Sequence, residues 1–204
     1  YETATFRVPE NFWKLFFECD KNKRFIITPF SFQFKKETQE ITAHANYIIY
    51  DTHLKEIERY EPHGVFKINA ISAIIDKTLK TQFEAKIPNI KYISPLDFCP
   101  LFGYQAIECM ESKHLSLPTD PPGFCAAWAV FYADLRLGNP SKSREDILIL
   151  GISLIKNNHG EFKTFIRDYA EFLSSMRQKY IKGLAEKKHK TLDDFFLNEL
   201  KAAK

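Results

Sequence analysis

The segment Cys125–Pro140, CAAWAVFYADLRLGNP, constrains this chain more than any other. It is almost wholly apolar up to a Gly-Asn-Pro stop, so it predicts a buried helix of about 13 residues. Other elements must pack around such a helix. Upstream, Arg24–Phe34 (RFIITPFSFQF) alternates and is rich in β-branched and aromatic residues, a strand in which Pro29 marks an edge or a bulge. His44–Gly64 (HANYIIYDTHLKEIERYEPHG) predicts a hairpin, and Ile90–Ser94 a further strand between Pro88 and Pro95. Helical spacing places amphipathic helices at Glu10–Glu18 and at Lys67–Ile87, the second on Ile68, Ile71, Ile74, Ile75 and Leu79. Pro95–Gly123 reads as loop-rich. Three amphipathic helices follow the apolar one, with Ser143 and Thr191 as N-caps of the first and third. A helix, a group of strands and then helices is an α+β order: a central mixed β-sheet flanked by helices. One domain is expected, with a core over about residues 10–158 and a helical C-terminal extension over about 160–204.

Composition narrows the function classes. Of 204 residues, 45% are hydrophobic, with 19 Phe against 7 Gly, which fits a full core rather than disorder. No apolar run approaches the roughly 20 residues of a spanning helix, and the mean hydropathy is −0.31. A membrane role is not expected of this segment. The net charge of +3 is small, and the basic stretch Lys182–Lys190 (KGLAEKKHK) reads as a solvated helical face rather than a nucleic-acid patch. The sequence starts at Tyr1 without a Met, so a fragment of a longer chain is expected. Cys19, Cys99, Cys109 and Cys125 match no zinc spacing and do not cluster with the six His, so neither metal nor cofactor is expected. A disulfide framework does not suit a chain of this size, which points to a reducing, cytoplasmic compartment.

The hairpin carries a histidine near one end and a glutamate near the other. With the turn centred on Thr52-His53, Ile48 meets Ile57, Asn46 meets Arg59 and His44 meets Glu61. Directly opposed Cβ atoms lie about 4.5–5.5 Å apart, close enough for a carboxylate to hold an imidazole N–H. Read alone, the pair is also an ordinary cross-strand contact. Cys125 changes the reading. It follows Asp-Pro-Pro-Gly and begins the apolar helix, where unpaired N–H groups favour a thiolate and can receive an oxyanion. The alternative for Cys125 is a small buried filler, the role expected of Cys19, Cys99 and Cys109.

These residues resemble clan CE cysteine proteases, the group of the adenovirus maturation protease and the SUMO proteases. The order His, acid, Gln, Cys is theirs, and IERYEPHG is similar to their acid-bearing segment. PLDFCPLFGYQ and GFCAAWAVFYADLRLGNP resemble segments of thiol proteases from giant viruses and intracellular bacteria. The resemblance covers roughly residues 24–140 and implies a papain-like superfold in circularly rearranged order. It implies His44 as general base, Glu61 as orienting acid, Cys125 as nucleophile and Gln105 as oxyanion donor. It also implies a substrate groove along Asn46, Phe124 and Trp128, although Phe124 and Trp128 are equally core candidates. There are departures: Ala45 stands where the clan has Trp, Ala126 where it has Gly, and Gln105 lies 20 residues before Cys125. Asp120 is nearer, but a carboxylate would repel an oxyanion. The activity implied is an (iso)peptidase removing ubiquitin or a ubiquitin-like modifier from lysine, most simply a deubiquitinase in a host-cell cytosol or a virion. Two rivals stand beside it: a YopJ-type acetyltransferase using acetyl-coenzyme A, and a catalytically silent module that binds the modifier.

Overall fold

The computed structural model describes residues 7–20, 23–35, 41–65, 69–112, 124–187 and 191. Among these are seven helices and four strands in an α+β arrangement: α1 Phe12–Asp20, β1 Phe25–Lys35, β2 Ile41–Asp51, β3 Glu56–Tyr60, α2 Asn69–Glu84, β4 Lys91–Ile93, α3 Pro95–Phe98, α4 Tyr104–Ser112, α5 Cys125–Gly138, α6 Arg144–Asn158 and α7 Phe162–Lys187. The sheet has the order β1-β2-β3-β4 and is mixed, with two antiparallel pairs and a parallel β3–β4 pair. Pro29 lies on β1 at the sheet edge, where its missing N–H is tolerated. The helix expected from Thr191 falls outside the described residues.

Alternation along the strands divides the core into two layers. Ile49, Tyr60 and Ile93 face Trp128, Tyr132, Phe162 and Ile166. Ile48, Tyr50 and Ile57 face the other way, onto Phe16, Leu79 and Phe83. So α1 and α2 cover one face and α5 the other, with the first turns of α7 closing over Trp128. Phe16 stacks on Tyr50 at 5.6 Å between ring centroids, and Trp128 is wholly buried. Glu58 on β3 bolts the sheet to the helices, accepting from Tyr132 Oη at 2.8 Å and Arg144 Nε at 2.5 Å.

Two expectations are corrected. The first is the hairpin register, in which Ile48 pairs with Arg59 and Tyr50 with Ile57, a shift of two residues. The cause is the turn. Asp51 accepts the N–H groups of His53 (3.0 Å) and Leu54 (3.2 Å), and Lys55 takes φ +52, so the loop holds four residues between Asp51 and Glu56. A shift of two preserves the faces, because side chains alternate with period two. The second correction is in the stretch read as loop, which contains α3 and α4. Its helix α4 is anchored by Tyr104, whose Oη reaches the carbonyls of Ile147 and Leu148 on α6.

The start of α4 is pressed against the turn after β3. Gly103 N–H donates to His63 O at 2.9 Å and Gln105 N–H to Pro62 O at 3.0 Å. A Cβ on Gly103 would lie 2.3 Å from Pro62 O and 2.6 Å from Gly64 N, both backbone atoms that cannot swing aside. Gly103→Ala is therefore expected to destabilise the fold by about 1–3 kcal/mol, read as a lower urea midpoint with an unchanged slope; an unaltered midpoint would show that the contact is loose.

Candidate active site

The sheet end nearest the N-terminus of α5 collects the ionisable groups. Continuing the observed register beyond Tyr60 places Glu61 opposite Asn46, with His44 one same-face position further along β2. His44 and Glu61 meet from these diagonal positions: His44 Nε2 lies 2.5 Å from Glu61 Oε1, and both residues are buried. Glu61 Oε2 accepts from Asn46 Nδ2 at 3.2 Å and from Arg59 Nη1 at 3.4 Å, while Oε1 accepts the His63 N–H at 3.1 Å. Arg59 in turn donates to Asp76 of α2 at 2.7 Å and 2.9 Å, to Ser72 Oγ, and to the side-chain Oδ1 of Asn46. This line of contacts runs from α2 through the sheet to the imidazole.

Cys125 completes the arrangement from the opposite layer. Its half-buried side chain lies beside the His44 imidazole, and its Sγ accepts the Ala45 N–H at 3.4 Å, with the Ala126 N–H also bearing on the thiol. With Nε2 on Glu61, Nδ1 is the ring nitrogen left for the sulfur. Phe124 occupies the N-cap position of α5 without a side-chain cap, so the helix's first N–H groups remain available to an anion.

The electrostatics follow from these contacts. Burial opposes a charge on His44, but the bonds to Cys125 and Glu61 outweigh it and raise its pKa to about 9. Burial would likewise push Glu61 up, yet the bonds to His44 and His63 hold it well below the usual carboxylate range. For Cys125, burial is outweighed by the His44 bond and the Ala45 and Ala126 N–H groups, and the thiol is lowered. Cys99 shows the opposite case, burial pushing its thiol up to about 12. All four cysteines are free.

Other expected site residues sit elsewhere. Asn46 and Trp128, expected along a substrate groove, have no exposed surface. Asn46 braces Glu61, and Trp128 packs in the core with its Nε1 directed at Glu108 Oε2, 3.4 Å away. Phe124 does line an open groove, with Arg167, Glu171, Ser174 and Gln178 of α7. Gln105 is buried on the first turn of α4, bonded through its N–H to the Glu61 turn, and its Oε1 has no partner among the described residues. The N–H groups that meet the sulfur belong instead to Ala45 and Ala126. Asp120 lies outside the described residues. His63 was not singled out in the sequence; its Nδ1 lies 3.4 Å from His44 Nε2 and 3.6 Å from Glu61 Oε1. The Glu-Pro-His-Gly turn was the available signal, since it fixes His63 two residues beyond the acid.

Comparisons with known proteins correct the family resemblance. The chain is 31% identical over 171 residues to an ankyrin repeat protein of Acanthamoeba polyphaga mimivirus, not to a clan CE protease. That match takes in 77% of this chain and 21% of the relative, so the chain spans about a fifth of the length of the curated relative it matches. No family model and no solved structure matches it. The roles of His44, Glu61 and Cys125 therefore rest on their geometry. No helix among the described residues is long and apolar enough to cross a membrane.

The shifts define a pH window. Below the lowered thiol pKa sulfur and ring are both protonated; above about 9 the ring loses its proton; between the two the thiolate–imidazolium pair exists. Alkylation of Cys125 by iodoacetamide should accelerate with an inflection below the ordinary thiol value of 9.0. Glu61→Gln should move that inflection upward. An inflection at the ordinary value in both proteins would remove the ion pair.

Proposed function

We propose that this chain is a thiol-dependent hydrolase in which Cys125 attacks a carbonyl carbon, His44 carries the protons and Glu61 steers His44. The observation that carries the reading is the placement of both groups about one ring: Glu61 Oε1 at 2.5 Å from His44 Nε2, and Cys125 Sγ beside the same residue, accepting the adjoining Ala45 N–H at 3.4 Å. A carboxylate on one side and a sulfur at a helix N-terminus on the other is the arrangement that activates a weak nucleophile. The thiolate adds to the carbonyl, and the N–H groups of Cys125 and Ala126 receive the developing oxyanion. His44 then gives its Nδ1 proton to the leaving amine. The thioester is hydrolysed when the neutral ring takes a proton from water. The layering supports a papain-like arrangement in rearranged chain order, with sulfur on a buried helix and imidazole on the facing sheet.

The substrate class is an amide or isopeptide whose acyl part is slender, because the sulfur is only half exposed and flanked by Ala45 and Ala126. A ubiquitin or ubiquitin-like tail joined to lysine has this form, and a reducing compartment would keep the thiol available. The acetyltransferase alternative needs a basic cofactor pocket. Lys182 at the start of the basic stretch faces Glu186 at 4.0 Å, and residues 188–190 are outside the described set.

A ubiquitin carrying a C-terminal vinyl or propargyl group should form an adduct on Cys125 under reducing conditions, and Cys125→Ala should form none. His44→Ala should lower kcat/KM on an aminocoumarin-tailed modifier by roughly 10²–10⁴-fold. Absence of labelling with ubiquitin and SUMO probes alike would leave the silent-module reading ahead.

A further inference from the structure

We propose that His44 Nε2, Glu61 Oε1 and His63 Nδ1 form a three-ligand site for one zinc-like divalent ion, and that filling it switches the thiol chemistry off. The three donor atoms lie within 4.8 Å of one another. His63 Nδ1 stands 3.4 Å from His44 Nε2 and 3.6 Å from Glu61 Oε1. Ligands at zinc–nitrogen distances of about 2.0–2.1 Å in a tetrahedron are separated by roughly 3.3 Å. Two edges of the triangle already have that length. The third, His44 to Glu61, is a 2.5 Å hydrogen bond, and it opens when the shared proton is replaced by an ion. Glu61 can make the adjustment because its other oxygen is anchored separately by Asn46 and Arg59.

Beyond helping to hold the Glu61 carboxylate ionised, the His63 ring has no task in the thiol chemistry. The backbone N–H of His63 already holds Glu61, yet its imidazole is set 4.7 Å from that of His44, centroid to centroid, with a nitrogen directed at the same acid. The position is enforced, since Gly64 at φ +78 and its backbone contact with Gly103 lock the turn. The His63 side chain is 22% exposed, which leaves a path from water. Two imidazoles and one carboxylate select zinc-like ions over calcium or magnesium, which require more oxygen ligands. On binding, the ion takes the Nε2 lone pair, one proton leaves His44 for solvent, and Glu61 turns from ring to metal. The one proton left on His44, at Nδ1, could then reach the leaving amine only by leaving a metal-bound imidazolate, so the ring becomes a far weaker acid than the imidazolium. This consequence rests on the thiol-hydrolase reading; binding of the ion does not.

The test is titration of the chelator-treated full chain with Zn²⁺ by calorimetry, and with Co²⁺ by visible absorption. One ion per chain is expected. His63→Ala should weaken binding by about tenfold or more, with His63→Gln used if that variant fails to melt cooperatively. Cys125→Ala should still bind one ion per chain, no more weakly than the parent, because losing the sulfur removes a contact that favours the ring proton, and the exposed-loop variant His53→Ala should bind as the parent does. Undiminished binding by both His63 variants, or loss of binding in Cys125→Ala, would overturn the site. Zn²⁺ should block probe labelling of the parent and a chelator should restore it; labelling that rises with Zn²⁺ would overturn the switch. A chain that binds one ion through His63 but labels with no probe would keep the site and lose the thiol reading. Labelling without binding would do the reverse.

Discussion

The carboxylate of Glu61 is the constraint around which the rest is arranged. It is 1% exposed, and a carboxylate taken that far from water without partners costs several kcal/mol. Its partners come from separate places in the chain: His44 and Asn46 from β2, Arg59 from β3, and the N–H of His63 from the turn beyond. Asp76 of α2 balances Arg59, and Tyr92 of β4 donates to Asp76 at 2.7 Å. A buried ionic network of this kind adds little stability over well-packed apolar residues. What it does is fix geometry. Each member restricts the next until the imidazole has one orientation.

The two buried or half-buried thiols on the same domain show how far environment, not residue type, decides reactivity. Cys99 packs among apolar side chains and its thiol is pushed up, which makes it inert. Burial opposes the Cys125 thiolate as well, but this sulfur meets two backbone N–H groups and an imidazole, and the balance reverses. The largely apolar helix behind it matters here. Trp128, Ala129 and Tyr132 are sealed against the sheet, so the first turn of α5 cannot drift from His44.

Patterns with a strict period were legible in the sequence. The apolar run of α5, the alternation of β1 and β2, and the Ser143 cap, whose Oγ accepts the Asp146 N–H at 3.0 Å, all describe the observed elements. The pairing of His44 with Glu61 was legible because parity survives a two-residue shift, although the shift itself was not. It depends on Asp51 folding its carboxylate over two N–H groups, an interaction no alternation pattern encodes. Helix α4 was hidden because its anchor, Tyr104, bonds to carbonyls more than forty residues away. Asn46 was misplaced for a related reason, and Trp128, set along the groove by the resemblance, proved the core residue its place in the apolar helix suggested. A polar residue on a strand and an aromatic on a helix look alike in sequence whether they face a groove or a neighbour. The family resemblance rested on the order His, acid, Gln, Cys and on short segments such as IERYEPHG, and the match found is instead to a viral ankyrin repeat protein, 31% identical over about a fifth of that protein's length.

The claim that the remainder depends on is a protonated His44 held between a thiolate and a carboxylate. Titration of the His44 ring by NMR tests it without any substrate. The account predicts a midpoint near 9 in the intact chain, and a lower one once Cys125→Ala removes the sulfur. A midpoint near the ordinary value of 6.5, unchanged by that substitution, would contradict it.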